Sequence, residues 1–175
     1  MVSCDATLRD GRIVHIRAFR QDDENEMLQA FERMGPDARY MRFMRAVNEP
    51  NLDRFRTVVG SFPENGIGLV ATIPAADGID IVGTAMAVFA SDRENCEFAT
   101  SVASSFGGVG LGTALLRAVI DEATHRGINE MEGFVLTQNK PMLQLARGLG
   151  FKITREPGNA SVSICRKRLG APSAD

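Results

Sequence analysis

The chain has 175 residues, 44% of them hydrophobic, and a formal charge of -2. That length and apolar content predict one domain with its own core. The near-neutral balance gives no electrostatic footprint for nucleic acid or an anionic membrane, and no apolar run approaches a bilayer span.

Residues 1–12 are polar and unpatterned and read as a loosely ordered arm, leaving one domain over 13–169 and a loose tail over 170–175. Ile13–Phe19 is rich in β-branched residues and reads as a first strand. Gln21–Glu24 supplies a helix start, Met27, Leu28, Phe31 and Met34 share one helical face, and Gly35-Pro36 ends it. A second helical region comes in two pieces, 37–46 and 52–59, broken at Asn48-Glu49-Pro50. Arg39, Arg42 and Arg45 interleave there with Tyr40 and Phe43, as a site for an acidic partner or as solvated arginines around an aromatic anchor. Strands over 68–73 and 79–90 form a hairpin across Pro74–Gly78, and a turn at 92–95 leads into a strand at 96–102. After a glycine-rich stretch comes a long helix capped by Gly127, then a strand at 132–137 and a short helix over 139–150 with Pro141 near its start. A terminal strand pair, 151–155 and 161–168, turns at Pro157-Gly158-Asn159.

Cys4, Cys96 and Cys165 are odd in number and lack metal-type spacing, so they read as reduced thiols of a cytoplasmic protein. His15 and His125 stand alone, and no metal is expected.

The stretch Ser105–Arg117 carries the most chemistry. Gly107, Gly108, Gly110 and Gly112 precede a helical pattern of Leu111, Ala114, Leu115, Ala118, Val119 and Ala123. A strand, a glycine loop and a helix start expose backbone N–H groups without intrahelical partners, an arrangement that attracts phosphate. A Walker-type loop would require a lysine directly after the second glycine, and Gly107 through Thr113 gives Gly-x-x-x-x-Gly-Thr with no lysine. A dinucleotide fingerprint read from Gly108 would require glycine at 113, and it would not follow an antiparallel meander.

The remaining reading comes from resemblance. Gly107-Gly108-Val109-Gly110-Leu111-Gly112 resembles the acyl-CoA loop of the GCN5-related N-acetyltransferase (GNAT) superfamily, and Asn139–Leu143 followed by Leu149-Gly150-Phe151 resembles its second signature. Ile16-Arg17, Ala38–Phe43 and Glu97-Phe98-Ala99 are similar to the acetyltransferase domain of bacterial protein-lysine acetyltransferases. The resemblance implies an α/β (α+β) fold with a mixed, mostly antiparallel sheet of six to seven strands, about four helices and splayed central strands. It implies acetyl-CoA as acyl donor and a primary amine as acceptor, in a protein lysine or a small molecule. A non-catalytic acyl-CoA sensor is the other reading, and a homodimer is left open.

By the same resemblance, CoA contacts fall on Ser101, Val102, Gly107, Gly108, Val109, Gly110, Leu111, Gly112, Thr113, Asn139 and Met142, with the oxyanion donor around Ser101 to Val102. Asn139 contacts the pantetheine arm or caps the following helix. The family's loop usually opens on glutamine or arginine and carries a basic residue inside, where this chain has Gly107 and Val109. Glu97 is the candidate general base, the alternative being a surface carboxylate. The tyrosine many relatives carry on the late helix is missing, leaving Tyr40 far upstream and water as the acid. Alternation along the strand sends Cys96 to the face opposite Glu97, against an acyl-cysteine route.

Overall fold

A computed structural model of the chain describes residues 2–170. The long apolar runs on either side of Ala76-Asp77 become the longest pairing, between β3 (Gly66–Ala75) and β4 (Gly78–Phe89). On one side the sheet continues through β2 (Ile13–Ala18) to β1 (Ser3–Thr7), and on the other through β5 (Asn95–Val102). Beyond β5 lie β6 (Glu130–Leu136), then β8 (Asn159–Arg168), with β7 (Lys152–Glu156) at the far edge.

All neighbours in this eight-stranded sheet are antiparallel except β5 and β6. A crossover helix joins those two, and such a connection returns the chain in the parallel sense. Their pairing covers only 95–97 against 130–132, after which the strands part. This is the expected mixed sheet with splayed central strands.

The crossover is α4 (Leu111–His125), whose Leu111, Leu115, Leu116, Val119 and Ala123 are wholly buried. Small residues on β4 let it lie close. A methyl on Gly83 would stand 2.8 Å from Leu115 Cδ1 and 3.1 Å from Leu111 Cδ2. The opposite face carries α1 (Glu24–Arg33), α2 (Pro36–Phe43) and α3 (Leu52–Gly60). There Phe19 meets Phe55 edge-on at 5.5 Å, and Met27, Val59 and Met86 line the same apolar seam. Arg17 on β2 holds the start of α1 through a two-pronged pair with Asp23, at 2.6 and 2.7 Å. Burial alone would raise the Asp23 carboxyl. The hydrogen bonds from Arg17 and the Arg20 N–H outweigh that and hold it below its ordinary value. The remaining helix, α5 (Lys140–Gly148), follows β6.

The structure corrects the reading of residues 1–12 as a loose arm. Residues 3–7 are strand β1, paired in register with β2 from Ser3↔Arg17 to Thr7↔Ile13, and Leu8 is 5% exposed within the core. The strand is polar because it sits at the sheet edge, where backbone pairing holds it and few apolar side chains are called for. With β1 counted, and with 36–43 and 52–60 as separate helices, the described residues hold eight strands and five α-helices. The reading of a loose tail falls mainly on Ala171–Asp175, outside the described residues.

Leu8→Ala should lower stability to urea by about 2–4 kcal/mol, the cost of emptying a buried leucine site. A residue in a loose arm would give no change.

Candidate active site

The cradle is built from residues 104–113. A single 3-10 turn, Ser104–Phe106, buries Phe106 against the core and delivers the chain to the loop. Gly107 is extended (φ -68°, ψ 142°), a conformation open to any residue. Gly108 (φ 74°) and Gly110 (φ 98°) are left-handed, where a side chain would be strained. Gly110 caps α4, and its carbonyl accepts the first helical hydrogen bond, from Ala114 N–H at 3.0 Å. Among the described residues, no backbone N–H from Gly108 to Thr113 has a protein acceptor. Six consecutive donors at the positive end of a 15-residue helix are therefore left without protein partners, a ready seat for phosphate oxygens. Gly112 serves packing: a methyl there would meet Leu145 Cδ1 of α5 at 2.7 Å and Val102 Cγ2 of β5 at 3.5 Å.

The cradle opens onto the splay. Ala103 N–H donates to Val82 O and Ala90 N–H to Asn95 O, which directs the peptide groups of odd-numbered β5 residues toward β4. Alternation then turns the N–H groups of Phe98, Thr100 and Val102 toward β6, beyond the point where pairing with it ends. Of the two expected oxyanion donors, Val102 has this orientation, and the Ser101 N–H faces β4. Gly133 on β6 admits the Phe98 ring, which packs on Phe151 at 5.1 Å and fixes β5 beside the gap.

Glu97 lies at the base of this gap, exposed, opposite Val88 of β4 and Glu132 of β6. Among the described residues it forms no ion pair within 4.0 Å, whereas Glu132 is held by Arg166 at 3.0 Å. Arg42, on α2 above, lies within electrostatic reach of Glu97. Burial lowers the Arg42 pKa, and the Glu97 charge opposes that shift. Cys96 points into the core at 2% exposure, and burial pushes its thiol up to about 12. It is neither aimed at the gap nor ionised, which closes the acyl-cysteine route.

Asn139 is a helix cap: its Oδ1 accepts from Met142 N–H at 3.3 Å. Met142 is half-buried beside the core. Tyr40 is remote in sequence only. It faces Leu136, Thr137, Lys140 and Ser161 across an open groove of about 410 Å³, at the end of β6 beyond its pairing with β5. His15 sits between Asp5 (2.6 Å) and Ser3 (3.2 Å) on the open outer hairpin, a solvated cross-strand contact remote from the gap.

Sequence reasoning missed the contact of the β1–β2 turn with the glycine loop. Arg9 N–H donates to Val109 O at 3.0 Å. Arg12 donates to Ser105 O at 2.8 Å and stacks on the Phe106 ring at 3.8 Å. Two arginines in a polar leader carry no local signal of such a contact.

Over residues 14–152 the chain matches the family described as Acetyltransferase (GNAT) domain. It belongs to this family. An acetyltransferase of Pseudomonas aeruginosa is 28% identical over 163 residues, spanning 93% of this chain and 88% of that protein. The GNAT domain of S. lividans PAT superposes with a TM-score of 0.86 at 22% identity, covering 95% of this chain and 97% of that one. A GNAT superfamily phosphinothricin acetyltransferase of Sinorhizobium meliloti, in complex with acetyl-CoA, gives 0.70 at 17% identity, covering 93% and 92%. At these identities the structural likenesses establish the GNAT fold.

The two kinds of loop glycine should separate on mutation. Gly110→Ala forces a side chain into the left-handed region and should cost about 1–2 kcal/mol. Gly107→Ala, at an extended position where the added methyl would meet Ser104 O at 3.3 Å, should cost less than Gly110→Ala in the same urea titration.

Proposed function

We propose that this GNAT-family chain is an acetyl-CoA-dependent N-acetyltransferase whose acceptor is the side-chain amine of a protein lysine. The observation that carries the reading is the run of six unpartnered N–H groups, Gly108 to Thr113, opening onto a strand gap with an unpaired carboxylate, Glu97, at its base. The residues present fit the group. Gly108, Val109, Gly110, Leu111, Gly112 and Thr113 would hold the phosphates by backbone donation, while the Gly107 N–H is taken by Ser104 O, and the outward amide of Thr100 would hold the pantetheine arm. Ser101 and Met142 line its path, and Asn139 acts by capping α5. Acetyl-CoA, when bound, supplies an activated acyl thioester.

The chain's own residues handle the acceptor. A lysine amine with pKa near 10.4 is about 3.4 units from neutrality at pH 7, a deficit of about 4.6 kcal/mol. Glu97 would take that proton, directly or through water, and the Val102 N–H, free of β6, would donate to the thioester oxygen. Glu97 lies on the helix-covered face, where Val88 (37%) beside it and, on α2 and just after it, Tyr40 (41%) and Met44 (39%) are also exposed. Exposed surroundings of this kind suit a residue presented by another polypeptide better than a small amine, which needs enclosing walls. An unpaired carboxylate at the gap favours an enzyme over a sensor. Tyr40, which lines the groove at the end of β6, would be the candidate phenol for protonating the departing thiolate in place of water.

The catalytic unit takes in β1 and ends near Leu169. Three free cysteines and the proposed use of acetyl-CoA support a cytoplasmic location. Among the described residues, no helix is long and apolar enough to cross a membrane.

Glu97→Gln should lower turnover by about 10²–10⁴-fold, the range for loss of a general base, with the affinity for acetyl-CoA unchanged in calorimetry. Turnover close to that of the unmodified chain would remove Glu97 from the mechanism.

A further inference from the structure

We propose that Arg9, carried by the turn of the N-terminal hairpin, supplies the cationic contact to the CoA pyrophosphate that the glycine loop itself lacks. The inference rests on the acetyl-CoA reading and adds a residue from outside the family's loop.

The loop has no cation of its own, since Gly107 and Val109 stand at its usual polar and basic positions. A guanidinium nevertheless lies against it. A methyl placed on Gly110 would be 3.4 Å from Arg9 Nε and 3.9 Å from Nη2, so the charge sits over the residue that caps α4. The backbone of Arg9 is fixed to the loop by its hydrogen bond to Val109 O. The turn that carries it is closed by Leu8 N–H to Arg12 O at 2.8 Å and Gly11 N–H to Leu8 O at 2.9 Å, with Leu8 anchored in the core.

The two arginines of this turn are used differently. Arg12 is committed, paired with Asp10 at 2.7 Å, bonded to Ser105 O and stacked on Phe106. The contact of Arg12 positions the hairpin. Asp10, the acidic residue beside them in the turn, is thereby occupied. Arg9 is exposed and, among the described residues, its side chain has no carboxylate within 4.0 Å and no hydrogen-bond acceptor. An arginine held at the rim of six unpartnered amides, with no protein anion of its own, is the arrangement that recognises a phosphate by a charge-assisted fork. Because its backbone is already fixed by the hairpin, only side-chain freedom is lost on binding.

The test is isothermal calorimetry of the full chain and of Arg9→Gln with CoA, 3′-dephospho-CoA and acetyl-pantetheine. The expected result is binding of CoA and of 3′-dephospho-CoA about tenfold weaker in Arg9→Gln. Acetyl-pantetheine, which has no phosphate in reach, should bind both proteins equally. Arg9→Lys should recover part of the loss, and in turnover assays Arg9→Gln should raise KM for acetyl-CoA with kcat unchanged. Equal binding of CoA by Arg9→Gln and the unmodified chain overturns the proposal. A loss confined to CoA and absent with 3′-dephospho-CoA also overturns it, by moving the contact to the 3′-phosphate. A loss with acetyl-pantetheine of the same size assigns Arg9 a structural role and overturns it too. Failure of the unmodified chain to bind CoA at all would instead remove the acetyl-CoA reading beneath it.

Discussion

The structure turns on six backbone N–H groups, Gly108 to Thr113, that find no acceptor among the described residues. Unpaired donors are costly when buried and tolerable only where solvent or a ligand can reach them. Here they are set at the mouth of a cleft. Gly108 and Gly110 take left-handed conformations that turn successive amides outward, and Gly110 starts α4 without a side-chain cap. The helix behind them is clamped by Leu111, Leu115 and Leu116, so the amides keep their places before any ligand arrives. Seating phosphates therefore requires little reorganisation, and that is the main reason a loop without a basic residue remains serviceable.

The same clamp produces the second requirement, an accessible strand edge. Because α4 connects β5 to β6, the two strands run parallel, and they pair only at 95–97 before separating. Separation frees the outward amides of β5 beside the cradle. The Phe98 ring, seated over Gly133 and against Phe151, holds the strand in place from the core side. Strand alternation does the sorting. Cys96 and Phe98 enter the core with α4, while Glu97 emerges on the face covered by α2 and its arginines. Thioester and amine can thus approach β5 from different sides of one sheet, with a carboxylate between them.

Much of this was legible in the sequence because the signals are local. The glycine spacing, the 3.6-residue period after Leu111, the apolar runs flanking Ala76-Asp77 and the Asn139–Pro141 helix start each act within a few residues. Strand β1 was illegible for a physical reason: edge strands are polar, and its stability comes from backbone pairing and from Leu8 reaching a distant core. The proximity of Arg9 to Gly110 and of Tyr40 to Lys140 spans about a hundred residues in each case and depends on sheet order, which no local pattern encodes. The family resemblance supplied the expected sheet and cradle but located the missing charge nowhere, since the charge lies outside the family's motif.

The most direct test of the account is a titration of the ¹⁵N-labelled chain with acetyl-CoA, followed amide by amide. The account predicts that the largest displacements fall on Gly108–Thr113 and on Thr100 and Val102, because those N–H groups gain acceptors they lack in the free protein. Unmoved resonances at Gly108–Thr113 at saturating acetyl-CoA would contradict it.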